Sequence, residues 1–173
     1  MATENGILEV YHAGTDIVKA PDCKRGRKNL DFGQGFYITD IYDQAINFAR
    51  LKSVYRNLPP VINVYLLNKI EMLKEAKSLI FDEYDGKWLD FIVACRSGKD
   101  VWKKYDYVEG GVADDRVINA VSLYTQGFLS RDEVLRRIKY FKPNNQICLI
   151  NQELLDRYLK FTKRITPSDN GLL

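Results

Sequence analysis

Apolar and polar residues alternate along GILEVYH (6–12), a period of two that predicts a β-strand ending at His12. The polar stretch DIVKAPDCKRGRKNLD (16–31), punctuated by Pro21 and Gly26, reads as an irregular loop. FGQGFYIT (32–39) then predicts a glycine turn running into a short strand of Phe36, Tyr37, Ile38 and Thr39. Asp40 is placed to cap a helix in which Tyr42, Ala45, Ile46 and Ala49 recur at helical spacing. VINVYLL (61–67), rich in β-branched residues and preceded by Pro59 and Pro60, predicts a second long strand.

KWLDFIVACR (87–96) predicts a helix whose apolar face is Trp88, Phe91, Ile92 and Cys95. YDYVEGGV (105–112) reads as a strand and a turn, after which Asp114 or Asp115 starts a helix carrying Val117, Val121 and Tyr124. Ser130 with Glu133 has the spacing of a capping box, opening a helix with Val134, Leu135 and Ile138 inside. NNQICLI (144–150) predicts a short strand. Asn151 can cap a last helix with Leu154, Leu155, Tyr158 and Leu159 inward, and KFTKRIT (160–166) returns as an edge strand. PSDNGLL (167–173) is expected to fray. Strands and helices mix without strict alternation, so the fold class is α+β.

The 173 residues show no internal repeat and no linker, and are read as one domain, 1–173. A net charge of +3 is too small to imply nucleic-acid binding by itself. No apolar run approaches the roughly 18 residues of a membrane span, and the first residues lack the features of a signal peptide. Cys23, Cys95 and Cys148 are scattered and without metal spacing, which fits reduced thiols in a cytoplasmic protein, Cys95 and Cys148 serving as small core residues.

Candidate chemistry is sparse. FGQGFY lacks the third glycine of a dinucleotide fingerprint and the Lys-Ser/Thr of a phosphate loop. Two close glycines bring backbone near something, another strand or a ligand. His12, the single histidine, ends a strand and is followed by the small residues Ala13, Gly14 and Thr15, which leave the backbone open. A single histidine cannot make a metal site alone, so no metal is expected. The acidic groups at 82–85 and 114–115 read as turns and caps. Arg131, Arg136, Arg137, Lys139 and Lys142 form a basic cluster, a solvated face or a footprint for a phosphate-bearing partner.

Three stretches in this order, VYHAGT (10–15), FGQGFYIT with its helix, and NNQICLINQELLDRYLKF (144–161), resemble the signature segments of the diphtheria-toxin and poly(ADP-ribose) polymerase branch of ADP-ribosyltransferases. With WLDFIVACRSG, KYDYVEGGVADDRV and KPNNQICLI, nearly the whole chain resembles a family of small bacterial proteins catalogued as a domain of unknown function with that fold.

The resemblance implies two packed, mostly antiparallel sheets with flanking helices, and NAD as cofactor. It implies a catalytic triad of His12, Tyr37 and Gln146. His12 would contact ribose hydroxyls, the backbone at Ala13 and Gly14 would meet the nicotinamide carboxamide, and Tyr37 would stack on the nicotinamide ring. Thr15, Gly35 and Phe36 belong to the same segments, and Phe48, or its neighbour Asn47, matches a second stacking residue. The chain departs from the pattern twice: Ala13 is inserted between histidine and glycine, and Gln146 stands where relatives have glutamate. A neutral amide accepts the ribose hydrogen bond without supplying a full negative charge, a loss of the kind that costs about 10²–10³ in rate. The implied activity is mono-ADP-ribosylation of a macromolecular acceptor, as in toxins of toxin–antitoxin pairs neutralised by a small partner protein. The alternatives are a silent NAD or ADP-ribose binding module and an RNA-modifying relative.

Overall fold

A computed structural model describes residues 6–113, 115–138 and 144–167. The strand expected at 6–12 is β1 (Ile7–Gly14), which runs two residues past His12. It pairs antiparallel with β3 (Val61–Asn68), which pairs antiparallel with β7 (Leu159–Ile165), giving a three-stranded sheet in the order β1-β3-β7. A four-stranded sheet runs β2 (Phe36–Ile38), β6 (Gln146–Leu149), β5 (Tyr107–Gly110) and β4 (Ser78–Ile80). It is antiparallel except between β4 and β5. Tyr11 and Thr39 stitch the sheets together by two reciprocal backbone hydrogen bonds of 2.8 and 2.9 Å. The molecule is therefore mixed α+β, with two sheets and six α-helices among the described residues.

The main core lies between the sheets, where Val10, Tyr65 and Leu67 of the first meet Phe36, Ile38, Tyr107, Ile147 and Leu149 of the second. β3 is central and covered on both faces, which is why VINVYLL reads as a near-continuous apolar run. Its Ile62 and Val64 pack under α1 (Tyr42–Arg56), and burial of each stabilises by about 1.5–3 kcal/mol. On the far side of the second sheet, α3 (Gly86–Arg96), α4 (Asp115–Thr125) and α5 (Arg131–Ile138) build another core around Phe32, Trp88, Ile92, Val121, Val134 and Cys148. All three cysteines are buried thiols, and burial pushes Cys23 up to about 11 and Cys95 up to about 12.

Several cap expectations hold. Ser130 and Glu133 exchange the two hydrogen bonds of a capping box, 2.8 Å from Ser130 N–H and 3.3 Å from Glu133 N–H. Asn151 caps α6 (Gln152–Tyr158), and Asp85 accepts from Trp88 N–H at 2.8 Å to open α3. Asp40 does not cap α1: its carboxylate accepts from Asn145 Nδ2 at 2.9 Å, and Ile41 holds the N-cap position without a side-chain bond. Ala45 and Ala49 alone of the expected α1 face are fully buried, because small residues let the helix settle onto β1 and β3. Leu159 starts β7 instead of closing the last helix.

Two elements have no sequence expectation. α2 (Lys69–Glu75) is two turns long and started by the Asn68 side chain, and β4 is a three-residue parallel edge. In the basic cluster Arg131 pairs with Asp90 at 2.9 Å, while Lys139 and Lys142 fall outside the described residues, as do 168–173 of the expected frayed end. No helix among the described residues is long and apolar enough to cross a membrane.

The glycine turn packs against its own chain. Gly33 has φ +78°, and a Cβ there would fall 2.1 Å from the Trp102 ring. A Cβ on Gly35 would meet Cys148 Sγ at 2.5 Å and Leu149 O at 2.7 Å. Both close approaches are to protein, so the turn is required by the fold before any ligand is considered.

Candidate functional site

β1 is an edge strand, and its free edge faces β2. Tyr11 directs both of its backbone groups to Thr39, and in an antiparallel ladder residues two apart point the same way. Ala13 therefore turns its N–H and C=O toward the cleft that opens beyond the stitch. The C=O accepts from Lys52 Nζ at 2.6 Å, leaving the N–H directed at the cleft. Gly14 points the other way, into the ladder opposite Val61. Of the two amides that the resemblance nominates, the geometry offers that of Ala13. Gly14 and Thr15 do not line the cleft, and the Thr15 hydroxyl accepts from Arg56 at 3.2 Å.

The His12 side chain leaves the opposite face of β1 and stacks on Phe36, ring centroids 4.6 Å apart. Its Nδ1 lies 2.7 Å from the Tyr37 carbonyl oxygen. A carbonyl only accepts, so Nδ1 carries the proton and Nε2 is an acceptor. Burial, and then the Lys52 ammonium, lower the imidazole pKa to about 4, so the ring is neutral near pH 7.

Tyr37 is positioned by the glycine turn that precedes it. Its hydroxyl donates to Gly33 O at 2.7 Å and accepts from Phe32 N–H at 3.0 Å, locking the ring against the turn. Burial raises its pKa far above the ordinary phenol value, so it stays protonated. The ring is braced as a platform and its hydroxyl is already occupied.

Gln146 opens β6 opposite Gly110 and is buried. Its Nε2 donates to Asp31 Oδ2 at 3.1 Å and to Gly111 O at 3.4 Å. Both partners are acceptors, so the amide fits in one orientation only, with Oε1 turned away from them. Oε1 has no partner among the described residues, and Gln146 lines the cleft. Asp31 is itself saturated: Arg96 donates from Nε at 2.8 Å and from its terminal nitrogen, and Ala113 N–H adds a bond of 3.1 Å.

These residues share one cleft of about 470 Å³, within the range of small-molecule sites. His12, Ala13, Gly35, Phe36, Tyr37, Phe48 and Gln146 all line it, and Asn47 does not. Sequence reasoning missed Asp31, which orients Gln146 from 115 residues away. It also missed Arg25, Arg27, Lys52 and Arg56 on the rim, although the run KRGRK (24–28) was a signal for the first two. No group of three His, Cys, Asp or Glu side chains among the described residues is arranged to hold a metal ion.

What the arrangement can do chemically is bind: a flat platform, a backbone donor and two neutral acceptors converge on one volume. No curated protein matches the chain. No solved structure matches it either. A family described as protein of unknown function (DUF3990) is matched over residues 8–161, and the chain belongs to that family.

Proposed function

We propose that the cleft binds NAD with its nicotinamide on Tyr37, and that the protein is a mono-ADP-ribosyltransferase-like enzyme acting on a macromolecular acceptor. The observation that carries this reading is the convergence of His12, Tyr37 and Gln146, from three strands of two sheets, on one cleft. The fold supports it: two sheets stitched at Tyr11 and Thr39 are compatible with the ADP-ribosyltransferase-like architecture implied by the sequence segments.

In this reading the Ala13 N–H donates to the carboxamide, and His12 Nε2 and Gln146 Oε1 accept from ribose hydroxyls. The bond between the ribose C1′ and the nicotinamide nitrogen breaks, and nicotinamide leaves with the bonding pair. A nucleophile on the acceptor forms the new bond to C1′ and gives up its proton. Chain elongation, which needs a carboxylate to activate a sugar hydroxyl, is disfavoured by the amide at 146.

A second reading, a silent NAD or ADP-ribose binding module, draws on a specific observation. Gln146 is neutral, and the carboxylate behind it is compensated by Arg96. Incubation with NAD separates the two. Nicotinamide release that is abolished in His12→Ala, and retained in a folded surface control, supports the enzyme. NAD binding without release supports the module. Growth arrest on expression, relieved by His12→Ala, would support a toxin held in check by a small partner protein.

A further inference from the structure

Four cations line the mouth of the cleft, Arg25 and Arg27 from the loop before β2, Lys52 and Arg56 from α1. Surface cations are ordinarily a solvated face, so the way these are held decides their meaning. Gln34 Nε2 donates to Lys24 O and Gly26 O at 2.7 and 2.8 Å. Gly26 lies so near the glycine turn that a Cβ there would fall 2.7 Å from Gly35 O. The loop is thereby clamped to the turn that positions Tyr37, with an arginine on either side of the clamp.

From the opposite wall the Lys52 ammonium is drawn back onto Ala13 O. Its pKa is lowered by burial, then by Arg56 and Arg27, so the two walls stand within electrostatic reach of one another. Arg56 has a carboxylate partner, Asp16 at 3.0 Å. Arg25, Arg27 and Lys52 form no ion pair among the described residues, and Arg25 and Arg27 make no side-chain hydrogen bond there. Asp22, on the same rim, is engaged in accepting from Lys24 N–H at 2.8 Å. Four cations against the single Asp22 carboxylate leave a net positive potential inside the cleft, where it is focused.

We propose that Arg25, Arg27 and Lys52 form an anion subsite for a diphosphate, the linking group of a dinucleotide. That the dinucleotide is NAD rests on the reading given above; the diphosphate rests on the cations alone. A carboxylate brings one charge, whereas a diphosphate brings two and presents oxygens to both walls at once. Guanidinium groups offer the paired donors that phosphate oxygens take. The cleft is thus graded, with neutral acceptors and a flat ring at its inner end and uncompensated cations at its mouth.

The test is calorimetric titration of the full chain with inorganic pyrophosphate, ADP-ribose and nicotinamide riboside, for the parent and for Arg27→Gln and Lys52→Gln. Pyrophosphate and ADP-ribose should each weaken roughly tenfold per variant, the usual worth of one charge-assisted contact. Nicotinamide riboside should bind Arg27→Gln as it binds the parent. Equal pyrophosphate affinity in parent and variants overturns the subsite, and nicotinamide riboside binding in the same samples leaves the NAD reading standing. Pyrophosphate binding lost in Arg27→Gln, with no binding of nicotinamide riboside or NAD, supports the subsite and removes the NAD reading. Mixed-sequence single-stranded RNA that binds more tightly than ADP-ribose, and is lost in the same variants, overturns the diphosphate assignment in favour of a nucleic-acid track.

Discussion

Asp31 and Lys52 stand behind and beside the same cleft, and the fold treats their charges in opposite ways. Asp31 is enclosed and every lone pair is used, with Arg96 on one oxygen and Ala113 N–H and Gln146 on the other. Glu109 follows the same pattern nearby, held by Lys69 at 2.7 Å, the Tyr107 hydroxyl at 2.7 Å and Asn145 Nδ2 at 3.0 Å. Lys52 has one carbonyl and no carboxylate, and two arginines crowd it. The matched charges hold β5, β6 and α3 in register. The unmatched ones have no carboxylate to hold, which is the condition the proposed anion subsite requires.

The sharpest way to break this contrast is to strip one partner from each side. Arg96→Leu leaves the Asp31 carboxylate buried without its cation and should cost about 3–5 kcal/mol in urea unfolding. An unchanged midpoint would show that the pair is not structural. Next in size is the acid response of His12. Its folded pKa of about 4 lies below the unfolded value near 6.5, so the unfolded chain binds the proton first. Stability from the neutral ring is complete above pH 6.5 and is lost as pH falls toward 4, by about 3 kcal/mol. His12→Asn should remove that share of the pH slope, and equal slopes in both proteins would contradict it.

Gln146→Glu comes third. It sets a second carboxylate about 3 Å from Asp31, where both cannot ionise freely. The variant should lose about 2 kcal/mol near pH 7 and recover in Asp31→Asn/Gln146→Glu. Nicotinamide release should rise only in the double variant, so a rise in the single one would show that Asp31 does not govern position 146. The smallest effect is on the open side. Lys52→Gln and Arg27→Gln should shift the unfolding free energy by no more than about 0.5 kcal/mol. A loss of several kcal/mol would mean that these cations are structural after all.

The elements legible in the sequence were those whose own residues dictate them. β1 carries its alternation and β3 its β-branched apolar run, α3 shows its face in Trp88, Ile92 and Cys95, and α5 announces itself through Ser130 and Glu133. α2 and β4 are too short to set a period, and β4 exists because β5 lies beside it. The ring-and-histidine part of the candidate site was legible because His12 and Tyr37 lie in compact segments with unusual glycine and alanine spacing. Asp31 was not, because its partners are 65, 82 and 115 residues distant and no local pattern distinguishes it from a turn aspartate. The KRGRK run was visible, but only Gln34 and the clamp at Gly26 turn a basic loop into one wall of a cleft.

The stitch between Tyr11 and Thr39 has a mechanical consequence. Two hydrogen bonds at one point act as a latch between the sheets, and each amide is donor to the other's carbonyl, so the pair opens in a single motion. Hydrogen exchange at these two amides should therefore show one common protection factor, raised by any molecule that bridges the jaws on either side.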